Sequence, residues 1–258
     1  MRQGALFEGV GVALVTLFDD DLELDAPATA DLAARLVELG VRAVIVAGTN
    51  GEASTLSPEE RARLLAAVRE AVPAGTGVPV IAGTGAPSAY QATRLTAAAR
   101  DGGADAALAL SPPGAVDPRP YYEAVAAAAG NMPVLAYHFP KVSAPGIALE
   151  ALADLPVVGQ KDSSGDPDRL LQTLASWDRP VYSGASALIT YAAELGCAGM
   201  VLGLANAEPE ACAAAFAGDV GAQLKLATAH KAAQARFPGG IKALVAARFG
   251  CSPAARLG

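Results

Sequence analysis

Short apolar runs alternate along the chain with Ala- and Leu-rich stretches of helical length, the pattern of repeated βα units built on a parallel sheet. Eight runs qualify as strands: GVGVALVTLF (9–18), VRAVIVAG (41–48), VPVIAGTG (78–85), ADAALALSP (104–112), PVLAYHFP (133–140), VVGQKDSS (157–164), PVYSGASA (180–187) and CAGMVLGLAN (197–206). Helical stretches fall between them near 26–39, 58–72, 87–101, 118–130, 147–154, 166–176 and 188–195, and another starts near 208. Their starts carry the expected signals: Ser57 before Pro58 with Glu59 and Glu60 in the first turn, Pro87-Ser88, and Asp166 before Pro167. Gly40, Gly130 and Gly196 stand where left-handed caps would end helices.

Eight βα units predict a closed (β/α)8 TIM barrel over residues 1–218, with one or two short helices in 219–258 packed on it as part of a single domain. The alternative is an open, doubly wound sheet. It would have fewer strands and a Gly-rich turn after the first, whereas strand one here runs into Phe18-Asp19-Asp20-Asp21. In a barrel, chemistry belongs at the C-terminal ends of the strands.

Composition narrows the function classes. The 258 residues are 52% hydrophobic, enough for a large core, and carry 19 basic against 26 acidic residues for a net charge of −7. No basic run accompanies that balance, which argues against nucleic acid or an anionic membrane as partner. Three cysteines without CxxC spacing fit a reducing compartment, and a cytoplasmic location is expected. The N-terminal MRQGALFEGVGVALVTLF reads as a strand rather than a leader, and no apolar stretch reaches the roughly 20 residues of a spanning helix. With His138 and His230 as the two histidines, a histidine-based zinc site is not expected, and no metal is implied.

The strand ends hold the candidate chemistry. Lys161 closes an apolar strand; if it points into the barrel, Gly159 does too, leaving room for its stem, while Gln160 and Asp162 face the helices. A desolvated lysine keeps more of its free amine, the form that makes a Schiff base with a ketone. The plainer alternative is a lysine that snorkels to solvent. Tyr137, on a neighbouring strand, is either core or a general acid and base beside that lysine. His138 alternates away from it and reads as structural. GTNGE (48–52) is a βα turn whose N–H groups and hydroxyl suit a carboxylate, with Glu52 bracing the turn rather than reacting. Asp166 and Asp168 read as helix caps.

With these motifs in order, the chain resembles the dihydrodipicolinate synthase and N-acetylneuraminate lyase superfamily, the pyruvate-dependent class I aldolases. GTNGE stands where that family has a G-(S/T)-T-G-E turn, YHFP where it has Tyr-Asn-x-Pro, and GQKDSSGD where it has Gly-(I/V)-Lys followed by an acid and hydroxyls; VIAGTG (80–85) and SGAS (183–186) also match. The resemblance implies that Lys161 forms the imine with pyruvate, that Tyr137 relays protons with Thr49, and that Asn50, with Gly51 of the same turn, holds the pyruvate carboxylate. It places Gly184 and Val201 along the pyruvate pocket. Ser163, two residues beyond Lys161 and on its side, is expected to touch substrate. No cofactor is implied beyond the covalent imine.

Departures from the family pattern bear on the second substrate. Asn50 replaces the usual threonine. Lys141 and Val142 stand where dihydrodipicolinate synthases have an arginine, and SPPGAV (111–116) replaces their Tyr-Tyr pair, with Tyr121 and Tyr122 displaced into the next helix. The strand-seven loop, Gly184-Ala185-Ser186, lacks the acids of sialate lyases. Ser163, Ser186, Asn206 and Lys141 are expected at the mouth. The resemblance then implies an aldolase that cleaves or forms a 2-keto-3-deoxy sugar acid or a 4-hydroxy-2-oxo acid, with pyruvate and an aldehyde as its partners. The alternatives are 4-hydroxy-tetrahydrodipicolinate synthesis and a non-catalytic 2-oxo-acid-binding relative. Assembly as a homodimer or homotetramer is expected.

Overall fold

The computed structural model describes residues 4–257. Eight strands, β1 (Gly9–Ala13), β2 (Ala43–Val46), β3 (Val80–Gly83), β4 (Ala106–Leu110), β5 (Val134–His138), β6 (Gly159–Asp162), β7 (Val181–Ser183) and β8 (Gly199–Leu202), pair in sequence order. All pairs are parallel, and β8 closes on β1 through Gly9↔Gly199 to Val12↔Leu202. The closed barrel is therefore the fold, and the open-sheet alternative falls away. Each ladder spans only part of its run, and the residues that follow each strand form the loops at the C-terminal mouth.

Seven helices follow strands around the barrel or connect them: α1 (Ala26–Glu38), α2 (Pro58–Ala71), α3 (Ala89–Asp101), α4 (Arg119–Ala129), α5 (Pro167–Ser176), α6 (Ile189–Glu194) and α7 (Pro209–Phe216). Two more, α8 (Val220–Ala235) and α9 (Gly239–Phe249), pack on α7 and on each other. The predicted starts are real caps. Ser57 and Glu60 form a reciprocal capping box, and the Asp166 carboxylate accepts from Asp168 N and Arg169 N. Gly130 departs from expectation: it ends α4 at φ 60°, ψ −116°, outside the left-handed helical well. The helix expected over 147–154 is a single 3₁₀ segment, Glu150–Asp154. It ends at Leu155, which is extended at ψ 135° before Pro156, as a residue preceding proline avoids helical backbone.

Two apolar layers hold the barrel. The outer one fills the space between strands and helices, with Val12, Val44, Val46, Val80, Ala136 and Val181 from the sheet facing Leu32, Leu36, Leu64, Val68 and Val125 from the helices. The inner one is made by alternate strand residues, Ile45, Ile81, Leu108, Leu135, Tyr137, Tyr182 and Val201, with Phe7 stacked on Tyr182 at 4.5 Å below the start of β1. This inner layer closes the bottom, where the Tyr182 hydroxyl is engaged with the backbone of Leu6 and Phe7. Among the described residues no helix is long and apolar enough to cross a membrane.

Candidate active site

Parallel register brings the chemistry together. Tyr137 on β5 pairs with Lys161 on β6, which pairs with Tyr182 on β7. Because side chains alternate along each strand, these residues share the barrel interior, while their neighbours turn outward. Asp162 does so, pairing with Arg169 on α5 at 3.2 Å. His138 does so too: its Nδ1 accepts from Ile147 N at 2.9 Å, and burial, with help from Arg169, pushes the ring down to about 4.

Lys161 is 3% exposed, and its Nζ stands 4.3 Å from the centroid of the Tyr137 ring. Among the described residues no carboxylate pairs with it. The Tyr137 hydroxyl lies 3.3 Å from Thr49 Oγ1, so the lysine, the phenol and the threonine form one line from β6 through β5 to the turn after β2. The lysine does not snorkel.

Gly184, just past β7, makes the room that the lysine needs. A Cβ there would meet Lys161 Cε at 3.2 Å and Ser163 Oγ at 2.0 Å. This corrects the part given to Gly159: a Cβ on that residue would meet Pro180 O at 2.6 Å and Leu135 Cδ2 at 3.0 Å, so its glycine serves strand packing instead of the lysine stem. Ser163 sits over Gly184 beside the lysine, and Val201 lines the inner layer from β8.

The GTNGE turn closes on itself. The N–H groups of Gly51 and Ala53 donate to Gly48 O, Glu52 N–H donates to Thr49 O, and Gly51 O accepts from Thr16 Oγ1 at 2.7 Å. Gly51 thus has its N–H spent inside the turn, unlike the carboxylate-holding part expected of it. Among the described residues the N–H groups of Thr49 and Asn50 have no protein acceptor, and these two are the donors a carboxylate could use. The Asn50 amide lies over Gly203 after β8, where a Cβ would approach Oδ1 to 2.7 Å.

Three mouth residues behave otherwise than expected. Asn206 is fully buried: its Oδ1 accepts from Val15 N, and its Nδ2 donates to Ala13 O and Gly203 O, stapling the ends of β1 and β8 together. Ser186 Oγ is engaged with His230 Nδ1 on α8 at 2.9 Å, and Lys141 is exposed. Tyr121 and Tyr122 are both inside α4, where their hydroxyls serve the Ala86 backbone and Ala109 O. Beside the mouth, a cleft of about 1100 Å³ runs from Thr49 past Ser111, Pro113 and Val142 to Leu257.

Sequence reasoning missed what braces Glu52. Its carboxylate is fully buried, pairs with Lys242 of α9 and accepts from Leu257 N at 2.7 Å. The available signal was Lys242 itself, a cation in the otherwise apolar run IKALVAA (241–247).

Comparison with known proteins agrees with this geometry. The model of the dihydrodipicolinate synthetase family matches residues 6–243. A DapA-like lyase of Halobacterium salinarum is 39% identical over 214 residues, 78% of this chain and 68% of that protein. A 4-hydroxy-tetrahydrodipicolinate synthase of Parasynechococcus marenigrum is 36% identical over 205 residues, 76% of this chain and 67% of that protein. The solved dihydrodipicolinate synthase of Acinetobacter baumannii, complexed with pyruvate, superposes with a TM-score of 0.86 at 29% identity, covering 98% of this chain and 95% of that one. An eight-stranded barrel with an interior lysine beside a tyrosine, matched nearly end to end, thus belongs to the dihydrodipicolinate synthetase family.

Proposed function

We propose that this class I, pyruvate-dependent carbon–carbon lyase cleaves or forms a short 2-keto-3-deoxy sugar acid or 4-hydroxy-2-oxo acid, with pyruvate and an aldehyde as its partners and no cofactor beyond the covalent imine. The observation that carries the mechanism is the line of Lys161 Nζ, the Tyr137 ring and Thr49 Oγ1 inside the mouth. Lys161, as free amine, adds to the C2 ketone, and loss of water leaves an iminium. Tyr137, coupled to Thr49, takes the proton from the C4 hydroxyl; the C3–C4 bond breaks, the aldehyde leaves, and the bond pair moves into an enamine. Protonation at C3 and hydrolysis of the imine release pyruvate and restore the amine. The N–H groups of Thr49 and Asn50 with the Asn50 amide are the proposed carboxylate holders. Gly184, Ser163 and Val201 shape the pocket around the imine.

The substrate class rests on what surrounds the lysine: hydroxyl and amide groups at Ser163, Thr49 and Asn50, and no cation at Val142. The Parasynechococcus relative favours a second reading, 4-hydroxy-tetrahydrodipicolinate synthesis. Against it stand Lys141 and Val142, both exposed, and the engaged hydroxyls of Tyr121 and Tyr122. The exposed apolar side chains of Tyr90, Val116 and Val142 support assembly as a dimer or tetramer, and three cysteines without CxxC spacing support a reducing, cytoplasmic location.

A panel of 2-oxo acids assayed for pyruvate release tests the reading, with Lys161→Ala as control. Release from a short hydroxylated member, abolished in the control, is the expected result. Pyruvate binding without release from any acid in the panel would overturn the proposal, leaving the synthase and the non-catalytic readings.

A further inference from the structure

We propose that the segment from Lys242 to Leu257 is a positioning element for the proton relay: through Glu52 it holds the GTNGE turn so that the Thr49 hydroxyl stays against Tyr137. The inference rests on the relay assigned above to Thr49 and Tyr137 and adds residues that touch neither substrate nor the reacting atoms.

The starting point is Glu52, a non-glycine residue at φ 53°. Left-handed backbone is unfavourable for a side chain of this kind, and the surrounding contacts must over-determine it. Glycine would relieve that strain, and glycine already flanks the position at 51. What glutamate adds is a carboxylate, and every contact of that carboxylate reaches the C-terminal segment. One oxygen pairs with Lys242, and the other accepts from Leu257 N at 2.7 Å. Lys242 is fully buried, donates to Ala254 O at 2.7 Å and lies 4.3 Å from the centroid of Phe18. One lysine therefore ties together α9, the segment that follows it and the turn after β2.

Arg256 fastens the same segment as well. It donates to Leu22 O and Thr55 O, pairs with Glu60 of the α2 capping box, and lies 4.4 Å from the centroid of the same Phe18 ring. The turn is thus gripped between Thr16 on one flank and the C-terminal segment on the other, three residues from the Thr49 hydroxyl. A buried ion pair of this kind adds little net stability relative to apolar packing, whereas it fixes a geometry. Displacements of about 1 Å at a reacting group cost up to about 100-fold in rate.

The test separates imine formation from proton transfer. Borohydride trapping of pyruvate reads the attack of Lys161. Exchange of pyruvate methyl protons for deuterium in D2O, followed by proton NMR, reads the loss of a C3 proton from the iminium and the return of a deuteron to the enamine. In the Arg256→Met/Leu257→Pro double variant, which removes the guanidinium contacts and the N–H donor to Glu52, trapping is expected within about twofold of the unaltered protein and exchange slowed by about tenfold or more. Lys242→Met is expected to show the same split; should it fail to fold, the double variant decides. Unchanged exchange in the double variant, or a parallel fall of trapping and exchange, overturns the proposal. Absence of trapping in the unaltered protein overturns the function reading itself, and this inference with it.

Discussion

Lys161 and Lys242 are both interior lysines, and their surroundings differ in kind. Lys242 has a carboxylate, a carbonyl and a ring; burial pushes its ammonium below the ordinary lysine range, and Glu52 pulls it back. Lys161 has the face of Tyr137 and, among the described residues, no carboxylate partner. The first is built to hold a charge in place, and the second is left free to react with a carbonyl. The phenol next to Lys161 has its own separable part in the account. Tyr137→Phe is expected to leave borohydride trapping of pyruvate intact while lowering pyruvate release by about 100-fold, the usual scale for removing a general acid and base; unchanged release would remove Tyr137 from the mechanism. At this scale Lys161 and Tyr137 were legible because alternation and strand position carry them to one mouth, and Thr49 through the resemblance of GTNGE to the family's turn. It did not show Glu52–Lys242 or the engagement of Ser186 with His230, since those contacts join residues far apart in the chain and no local period announces them.

Among the elements, strand positions were legible because most of the buried strands are short apolar runs, β6 (GQKD) being the exception, while their ends were not: the runs continue into loops that leave the ladder. The loop residue Asn206 illustrates why. It reads as a polar group at the mouth, yet it satisfies the backbone where β1 and β8 leave their hydrogen-bond register. Asn206→Ala would leave the buried Val15 N–H and Ala13 C=O without partners. The expected cost is about 3 kcal/mol in the free energy of urea-induced unfolding, from two orphaned backbone groups at the usual 1–3 kcal/mol each. A change below about 0.5 kcal/mol would show that the staple is dispensable. The segment 147–154 differs in another way: its apolar spacing suggested a helix, and the chain makes only a 3₁₀ segment that ends at Leu155, extended before Pro156.

Over the whole molecule, the barrel closes eight strands so that the ends of β2, β5, β6, β7 and β8 meet above an apolar plug, and the outer shell carries its own titration. His138 is neutral in the folded state, with its ring pushed to about 4 by burial and Arg169. The unfolded chain takes up the proton at an ordinary value near 6.5, so between these values it binds more protons than the folded protein. Stability is therefore expected to be full above about pH 6.5 and to fall as pH drops toward about 4, with His138→Gln flattening that part of the melting-temperature profile. A profile unchanged by the substitution would assign the loss to other groups. The central claim is the imine, and it has a direct measurement: reduction with borohydride in the presence of pyruvate, followed by peptide mass spectrometry. The account predicts a pyruvate-derived adduct on the peptide carrying Lys161 and none in Lys161→Ala. An unmodified Lys161 peptide, or an adduct on another lysine, would contradict it.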